Sequence, residues 1–297
     1  MERLPAGAEL QAGRLARHAR RGKADKVIEK LLGPGQYWGR MTPRFYLANL
    51  DAPALTGAEA HHARHVLRIQ IGAKVVVFDG HGNQARCAVT QVSDRAVALQ
   101  ALDRSSTPPL PSRITLASAV TKKAMDLLAQ KATELGVAAI VPLVTDRTIV
   151  RTAKPDRWRE IAIEACKQSG NNWLPEIHAP VALAEFLKTA GTFDLKLIAA
   201  LVPGTVPFKS TFNPTGRSGL PPAIPSDSPA GRAQKGAPTD ALKVLVLIGP
   251  EGDFTPAEIE QATTAGCVPV SLGSLTLRAE TAALYALSVL HHELQVG

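Results

Sequence analysis

A two-unit α/β protein is expected from this sequence, with a small β-rich unit first and a larger unit on a mostly parallel sheet after it. Three observations predict it. Short strands separated by Gly-, Asn- and Asp-rich turns fill residues 44–102. A proline cluster at residues 105–112 then reads as a stiff linker. From Arg113 onward strands alternate with helices, the pattern of a parallel sheet covered on both faces.

Within the first unit, taken as residues 42–104, RFYLANL is a short strand and GAEAHHARHVLRI a helix. KVVVFDG, ARCAVTQVS and AVALQAL follow as strands, and the DGHGN stretch between the first two of these is a hairpin signal. Several short strands and one helix in about 60 residues make a small β-barrel. In the second unit, residues 113–297, strand RITLASAV leads to helix AMDLLAQKATELG, strand AAIVPLV, a helix around DRWREIAIEACKQ and a shorter one at LAEFLK. Strands LKLIAAL and KVLVLIG, helix PAEIEQATTAG, strand VPVSLG and a final helix AETAALYALSVLHHEL complete it. Thr255 and Pro256 mark a helix start, and Gly136 and Gly266 sit where helices end. Residues 203–240 are rich in Pro, Gly, Ser and Thr and poor in large apolar side chains, so they are expected as a mobile inserted loop between two core strands.

The chain's 297 residues suit two cores, and 45% hydrophobic with 20% charged residues is ordinary for a folded protein. Its formal net charge of +8 is unevenly spread: residues 1–40 hold nine Lys and Arg against four Asp and Glu, leaving only +3 for the rest. A local RNA-binding patch is compatible with that balance but not required by it. Residues 1–41 read as a basic extension outside the fold. No apolar run approaches the roughly 18 to 20 residues of a membrane-spanning helix, and the start has no apolar core of a signal peptide, so a cytoplasmic protein is expected. Cys87, Cys166 and Cys267 are too scattered for a disulfide framework or zinc site and read as buried small residues. His61, His62 and His65 lack a carboxylate or thiol at ligand spacing, so no metal is expected there.

Two late segments hold the chemistry. IGPEGDF (248–254) and LGSLTLRAETAAL (272–284) each follow a strand and run into a helix, which is where open α/β sheets bind ligands. Glycines there let the backbone approach a ligand with its NH and CO groups. The dinucleotide fingerprint is missing after the first strand and no P-loop motif is present, which argues against an ordinary dehydrogenase or a P-loop enzyme.

The ordered set KKAMDLLAQKATELGVAAIVPLVTDRTI, EACKQSGNNWLPEI, LIGPEGDFTPAEI and LGSLTLRAETAAL, with RFYL, HHARHVLRI and DGHGN before it, resembles the RsmE family, the small-subunit ribosomal RNA uridine N3-methyltransferases of the SPOUT class. The likeness covers residues 42–294 apart from the loop insertion. It implies a PUA-like first domain, a trefoil-knotted SPOUT catalytic domain, a homodimer with sites completed at the interface, and S-adenosylmethionine as cofactor. The implied reaction is methylation of N3 of the uracil 1498 equivalent in 16S ribosomal RNA. Carried over residue by residue, cofactor contacts fall on Leu201, Gly249, Pro250, Glu251, Gly252, Leu272, Gly273, Leu277, Arg278, Thr281 and Ala282. The family pattern has arginine after QSG where this chain has Asn171 and Asn172, and a second glycine where it has Asp253.

The reaction sets its own demands. Uridine N3 must lose a proton while charge spreads onto the flanking carbonyls, so an aligned nucleophile and a nearby cation are needed. Arg278 is the expected cation. Glu280 and Glu251 are candidate proton acceptors, although Glu280 equally suits the start of the last helix. Expected RNA contacts are Arg44, His62 and Arg68 in the small unit and Lys122, Lys123, Arg147 and Arg151 in the large one, gripping backbone while the target base swings out. Methylation at another ribosomal or transfer RNA position, or a non-catalytic role in ribosome assembly, are the competing readings.

Overall fold

The computed structural model describes residues 42–120, 124–149, 154–200, 202–212 and 241–295. The expected basic extension at 1–41 and most of the expected loop, 213–240, lie outside them. Two compact units emerge. The smaller holds 42–45, Ala52–Val77 and Ala85–Asp103; the larger holds Tyr46–Asp51, Phe78–Gln84 and the chain from Arg104 onward.

Five strands, β1 (Arg44–Tyr46), β2 (Ala54–Thr56), β3 (Lys74–Phe78), β4 (Asn83–Val92) and β5 (Ala96–Ser106), form a half-barrel in the order β1-β3-β4-β5-β2. Alternation assigns the faces: Ala85, Cys87 and Val89 of β4 are buried while Arg86 and Thr90 between and beside them are exposed. Between β2 and β3 the expected helix begins as α1 (Gly57–His61) and then widens into a π-turn over His62–Val66. There the Leu67 amide reaches back to the His62 carbonyl at 3.0 Å, five residues away. Arg68, at φ +52°, ends the helix in the left-handed region and turns Ile69 into the core.

The larger unit is an eight-stranded sheet of β6 (Ser112–Ala119), β7 (Ala139–Val144), β8 (Glu176–Ile177), β9 (Val181–Ala182), β10 (Leu195–Ala199), β11 (Val206–Pro207), β12 (Leu242–Ile248) and β13 (Val268–Ser271). Its order is β11-β13-β10-β12-β6-β7-β8, with β9 also on β7, and its pairings are parallel. Helices α2 (Ala124–Glu134), α3 (Pro155–Ser169), α4 (Leu183–Leu187), α5 (Pro256–Thr264) and α6 (Ala279–Gln295) cover it. Leu116, Leu197, Val244 and Val246 share a core with α2, α3 and α6. Their neighbours Ala117, Ile198, Leu245 and Leu247 share another with α4 and α5. Each central strand thus feeds two cores, which is why KVLVLIG reads as an unbroken apolar run. Among the described residues no helix is long and apolar enough to cross a membrane.

Two expectations change. Residues 203–212 do not belong to a loose loop: β11 pairs with β13, and a 3-10 turn over Phe208–Phe212 buries Phe208, whose ring meets Phe212 edge-on at 5.4 Å. Two aromatic anchors outweigh the surrounding Pro and Gly. The proline linker is shorter than expected, since Ser105 and Ser106 end β5 and Ser112 begins β6. The Thr107 amide donates to the Gly82 carbonyl at 2.8 Å, and the Trp173 indole donates to the Thr107 carbonyl at 3.0 Å. Gly82 is required there, since a Cβ would stand 2.5 Å from the Trp173 ring at a φ of +91°.

All three cysteines are buried thiols outside any disulfide. Burial pushes the Cys267 thiol from 9.0 up to about 11, with Lys196 pulling weakly the other way. Above pH 9 the unfolded chain therefore releases this proton before the folded one does, and stability is lost as pH rises from about 9 to 11. Urea unfolding across that range should show a steeper decline for the wild type than for Cys267→Ala; equal slopes would contradict the assignment.

Candidate active site

The chain runs from β10 out to edge strand β11, returns as β12 on one side of β10, and then places β13 on the other side. Crossovers on both sides of β10 make this a switch point, and the loops after these strands leave a crevice at their carboxyl ends. A cavity of about 240 Å³ lies there. Of the residues expected at a cofactor, Gly249, Pro250, Glu251, Gly252, Leu272, Gly273, Leu277 and Ala282 line it. Arg278 and Thr281 are not in its wall, and Leu201 lies outside the described residues. Sequence reading missed Ala199, Ala200, Ile248, Asp253, Val270, Leu275, Thr276 and Ala279. Strand ends at Ala199, Ile248 and Val270 were a usable signal, because parallel neighbours bring their last residues together.

The lining chemistry is specific. Among the described residues, Glu251 and Asp253 are the charged ones that line it, and no Lys or Arg does. Aliphatic walls, main-chain NH and CO groups and two carboxylates suit a ligand with an apolar body and a positive centre, and disfavour a phosphate.

The loop after β12 is tightly held. Asp253 has φ +62°, so the position where the family pattern has glycine remains left-handed, a region Asp tolerates. Its amide donates to the Pro250 carbonyl at 2.9 Å, and its Oδ1 accepts from the Phe254 amide at 2.8 Å. Arg147, one of the expected RNA contacts, donates from Nη1 to the Gly252 carbonyl and at 3.5 Å to that of Phe254. Beside it, Glu258 is almost fully buried. Its Oε1 accepts from the Asp146 amide at 2.9 Å, and its Oε2 from the Thr255 amide at 2.8 Å and hydroxyl at 3.1 Å. Thr255 and Glu258 thereby form a capping box on α5, a Thr-x-x-Glu signature that the sequence displays.

Arg278 is exposed just before α6, and its guanidinium has no ion pair among the described residues; its carbonyl accepts from the Ala282 amide at 2.8 Å. Glu280 is half-buried in the first turn of α6, where the helix dipole favours it, while Glu251 is exposed at the cavity. In the smaller unit Arg44 is buried, His62 meets the Phe45 ring edge-on at 6.2 Å, and Arg68 is exposed. Lys122, Lys123 and Arg151 lie outside the described residues. His61 and His65 stack at 4.6 Å, and no metal-competent group of three His, Cys, Asp or Glu occurs among the described residues. Asn171 and Asn172 have structural partners. Asn171 Oδ1 accepts from the Trp173 amide at 2.8 Å, and Asn172 Nδ2 donates to Thr107 Oγ1 at 2.8 Å.

Comparison with known proteins adds to this geometry. Residues 108–291 match the family described as RNA methyltransferase domain, and 55–102 the RNA methyltransferase PUA domain. The ribosomal RNA small subunit methyltransferase E of Bacillus subtilis (strain 168) is 30% identical over 256 residues, covering 83% of this chain and 93% of its own. This chain belongs to the ribosomal RNA small subunit methyltransferase E family. A family member from Neisseria gonorrhoeae, solved bound to S-adenosylmethionine, is 31% identical with a TM-score of 0.68, covering 84% of this chain and 97% of its own. A Legionella pneumophila methyltransferase, also solved with S-adenosylmethionine, is 30% identical with a TM-score of 0.70 and the same coverages.

Because Arg147 braces the Gly252 and Phe254 carbonyls, it acts on the cavity of this methyltransferase E chain through its loop. Hydrogen bonds to charged groups contribute about 1.5–3 kcal/mol, so Arg147→Ala is expected to weaken S-adenosylmethionine binding about tenfold or more. Calorimetric titration checks this; an unchanged affinity would show the loop to be self-supporting.

Proposed function

We propose that this chain transfers a methyl group from S-adenosylmethionine to N3 of a specific uridine of 16S ribosomal RNA, the uracil 1498 equivalent. The observation that carries the reading is the cavity at the ends of β10, β12 and β13, lined among the described residues by two carboxylates and no Lys or Arg. S-adenosylmethionine supplies an electrophilic methyl on a sulfonium, a cation that such a lining fits. Gly249–Gly252 and Leu272–Leu277 would hold it, with Leu272 and Leu277 against apolar parts and main-chain groups toward polar ones. In this reading the carboxyl-terminal segment is knotted, the chain pairs as a homodimer, and it works in the cytoplasm. The division into an extension at 1–41, a PUA-like domain at 42–104, a linker at 105–112 and a methyltransferase domain from 113 belongs to the same reading.

Arg278, exposed between the cavity-lining Leu277 and Ala279, would stabilise the anion that develops on the uracil carbonyls as N3 loses its proton. Glu251 and Glu280 are the candidate proton acceptors; Glu251 lines the cavity, while Glu280 lies in the first turn of α6, where the helix dipole favours it. Arg44, His62, Arg68, Lys122, Lys123 and Arg151 are proposed to hold RNA.

The test is transfer of labelled methyl to small-subunit particles lacking the modification, with the nucleoside identified by mass spectrometry. Expected is 3-methyluridine, with Arg278→Ala lowering kcat about 10²- to 10³-fold, as loss of one transition-state donor does elsewhere. A different methylated base would redirect the assignment to another RNA position, and cofactor binding without any RNA transfer would sink the substrate claim.

A further inference from the structure

The larger unit holds a second cavity, of about 500 Å³, at the opposite end of the sheet. It opens where β6, β7 and β8 begin, around Arg113, Ala138 and Glu176. Its lining differs from that of the first in carrying guanidinium groups. Two guanidinium groups, Arg113 and Arg159, line it; both side chains are exposed, and neither has an ion pair among the described residues. Arg159 lies over the Tyr46 ring, Cζ to centroid 5.4 Å, and donates from Nη2 to the Tyr46 hydroxyl at 3.1 Å. The Tyr46 hydroxyl and ring thus orient the guanidinium before any ligand arrives.

The wall also holds two carboxylates, Asp79 and Glu176, and neither is engaged with these guanidinium groups. Asp79 is committed to its own hairpin, with Oδ1 accepting from the His81 amide at 2.7 Å and Oδ2 from the Asn83 side-chain amide at 2.7 Å. Glu176 is exposed and lies 3.5 Å from the His178 imidazole. The wall itself is fixed. His81 and Trp173 form a β-bridge, the Leu174 amide donates to the Gly80 carbonyl at 3.0 Å, and the Trp173 indole is tied to the Thr107 and Pro108 carbonyls.

We propose that this cavity takes an unpaired nucleotide of the RNA substrate, distinct from the one that is methylated, with its base against the Arg159–Tyr46 stack and its phosphate on Arg113. The inference rests on the RNA-methyltransferase reading for its ligand class. Flat stacking surface beside an unpaired guanidinium is the combination that single-stranded RNA recognition uses, because every base has a π-face and every linkage a charge. A nucleotide held at the far end of the sheet would fix the RNA's register while another base reaches the cofactor cavity.

The experiment compares wild-type full-length chain with Arg113→Ala, Arg159→Ala and Arg159→Lys. Each substitution is at an exposed side chain, and unchanged S-adenosylmethionine affinity by calorimetry reports an intact fold. Methyl transfer is then measured against the concentration of small-subunit particles lacking the modification. Expected is a rise in KM of about tenfold for each Ala variant, the loss of one charge-assisted contact, with kcat at saturation unchanged. Arg159→Lys should remain impaired, since an ammonium keeps the charge but not the flat face. In parallel, anisotropy of a labelled single-stranded oligoribonucleotide across a salt series should show the slope of log K against log salt reduced by about 0.7 in Arg113→Ala. Unchanged KM and RNA affinity in both Ala variants would overturn the pocket while leaving the methyltransferase reading intact, as would a fall in kcat alone. If the wild type transfers no methyl, that reading fails, and the anisotropy arm still decides the pocket: weaker RNA binding in the variants supports it, equal binding refutes it.

Discussion

The short set of bonds from Asp146 and Arg147 to residues 252–258 holds the chemistry of the large unit in shape. Strand β7 ends just before Asp146 and β12 just before Gly249, yet the two are not neighbours; β6 lies between them. Arg147 and the Asp146 amide reach across that intervening strand to Gly252, Phe254 and Glu258. A loop carrying two glycines has much conformational entropy to lose, and its own sequence supplies few apolar contacts to offset the loss. Buried Glu258 meets part of that cost by accepting from three donors, which also satisfies the first turn of α5. The floor of the cavity is therefore set by hydrogen bonds from another loop as much as by its own motif.

The two ends of the sheet differ in chemistry. At the carboxyl ends of β10, β12 and β13 two carboxylates and no Lys or Arg line the wall among the described residues; at the amino ends of β6 to β8 it presents guanidinium groups. Eight residues of β6 separate these ends, about 26 Å at the usual rise per residue. That distance is about three Debye lengths at physiological salt, so a cationic ligand at one end and a polyanion at the other do not disturb each other's binding through solvent. A sheet buried on both faces has its two ends available for polar ligands, and in this chain a cavity lies at each.

What could be read from the sequence is what depends on near neighbours. Alternation in ARCAVTQVS, the unbroken apolar run in KVLVLIG, the Thr255-Pro256 start of α5 and the glycines after β12 and β13 all reappear in place. What escaped depends on distant partners. Periodicity reports which face a strand buries but not which strand lies beside it, so the placement of β10 between β12 and β13 was not legible. Arg147 reads as a surface cation until the Gly252 carbonyl is found beside it. Phe208 reads as a stray aromatic in a polar stretch until the core beneath it is seen. Asn171 and Asn172 read only as a departure from the family's arginine until their side chains are found bonded to the Trp173 amide and Thr107 Oγ1.

The motif after β12 shows why one of its glycines could change and the others resist change. At Gly249 a Cβ would come within 3.1 Å of the Phe254 amide nitrogen, which is backbone and cannot swing aside; at Gly252 it would come within 3.3 Å of the Arg147 side chain that braces the loop. Those positions are limited by space. Position 253 is limited by torsion alone, and a left-handed residue costs an L-amino acid roughly 1–2 kcal/mol, least for Asp and Asn. Asp253 recovers part of that cost through its bond to the Phe254 amide, which fixes the same turn that glycine would leave loose. At this position the left-handed turn is therefore built with Asp in place of the glycine of the expected pattern, and bonds from Arg147, to the Pro250 carbonyl and to Glu258 hold the loop around it.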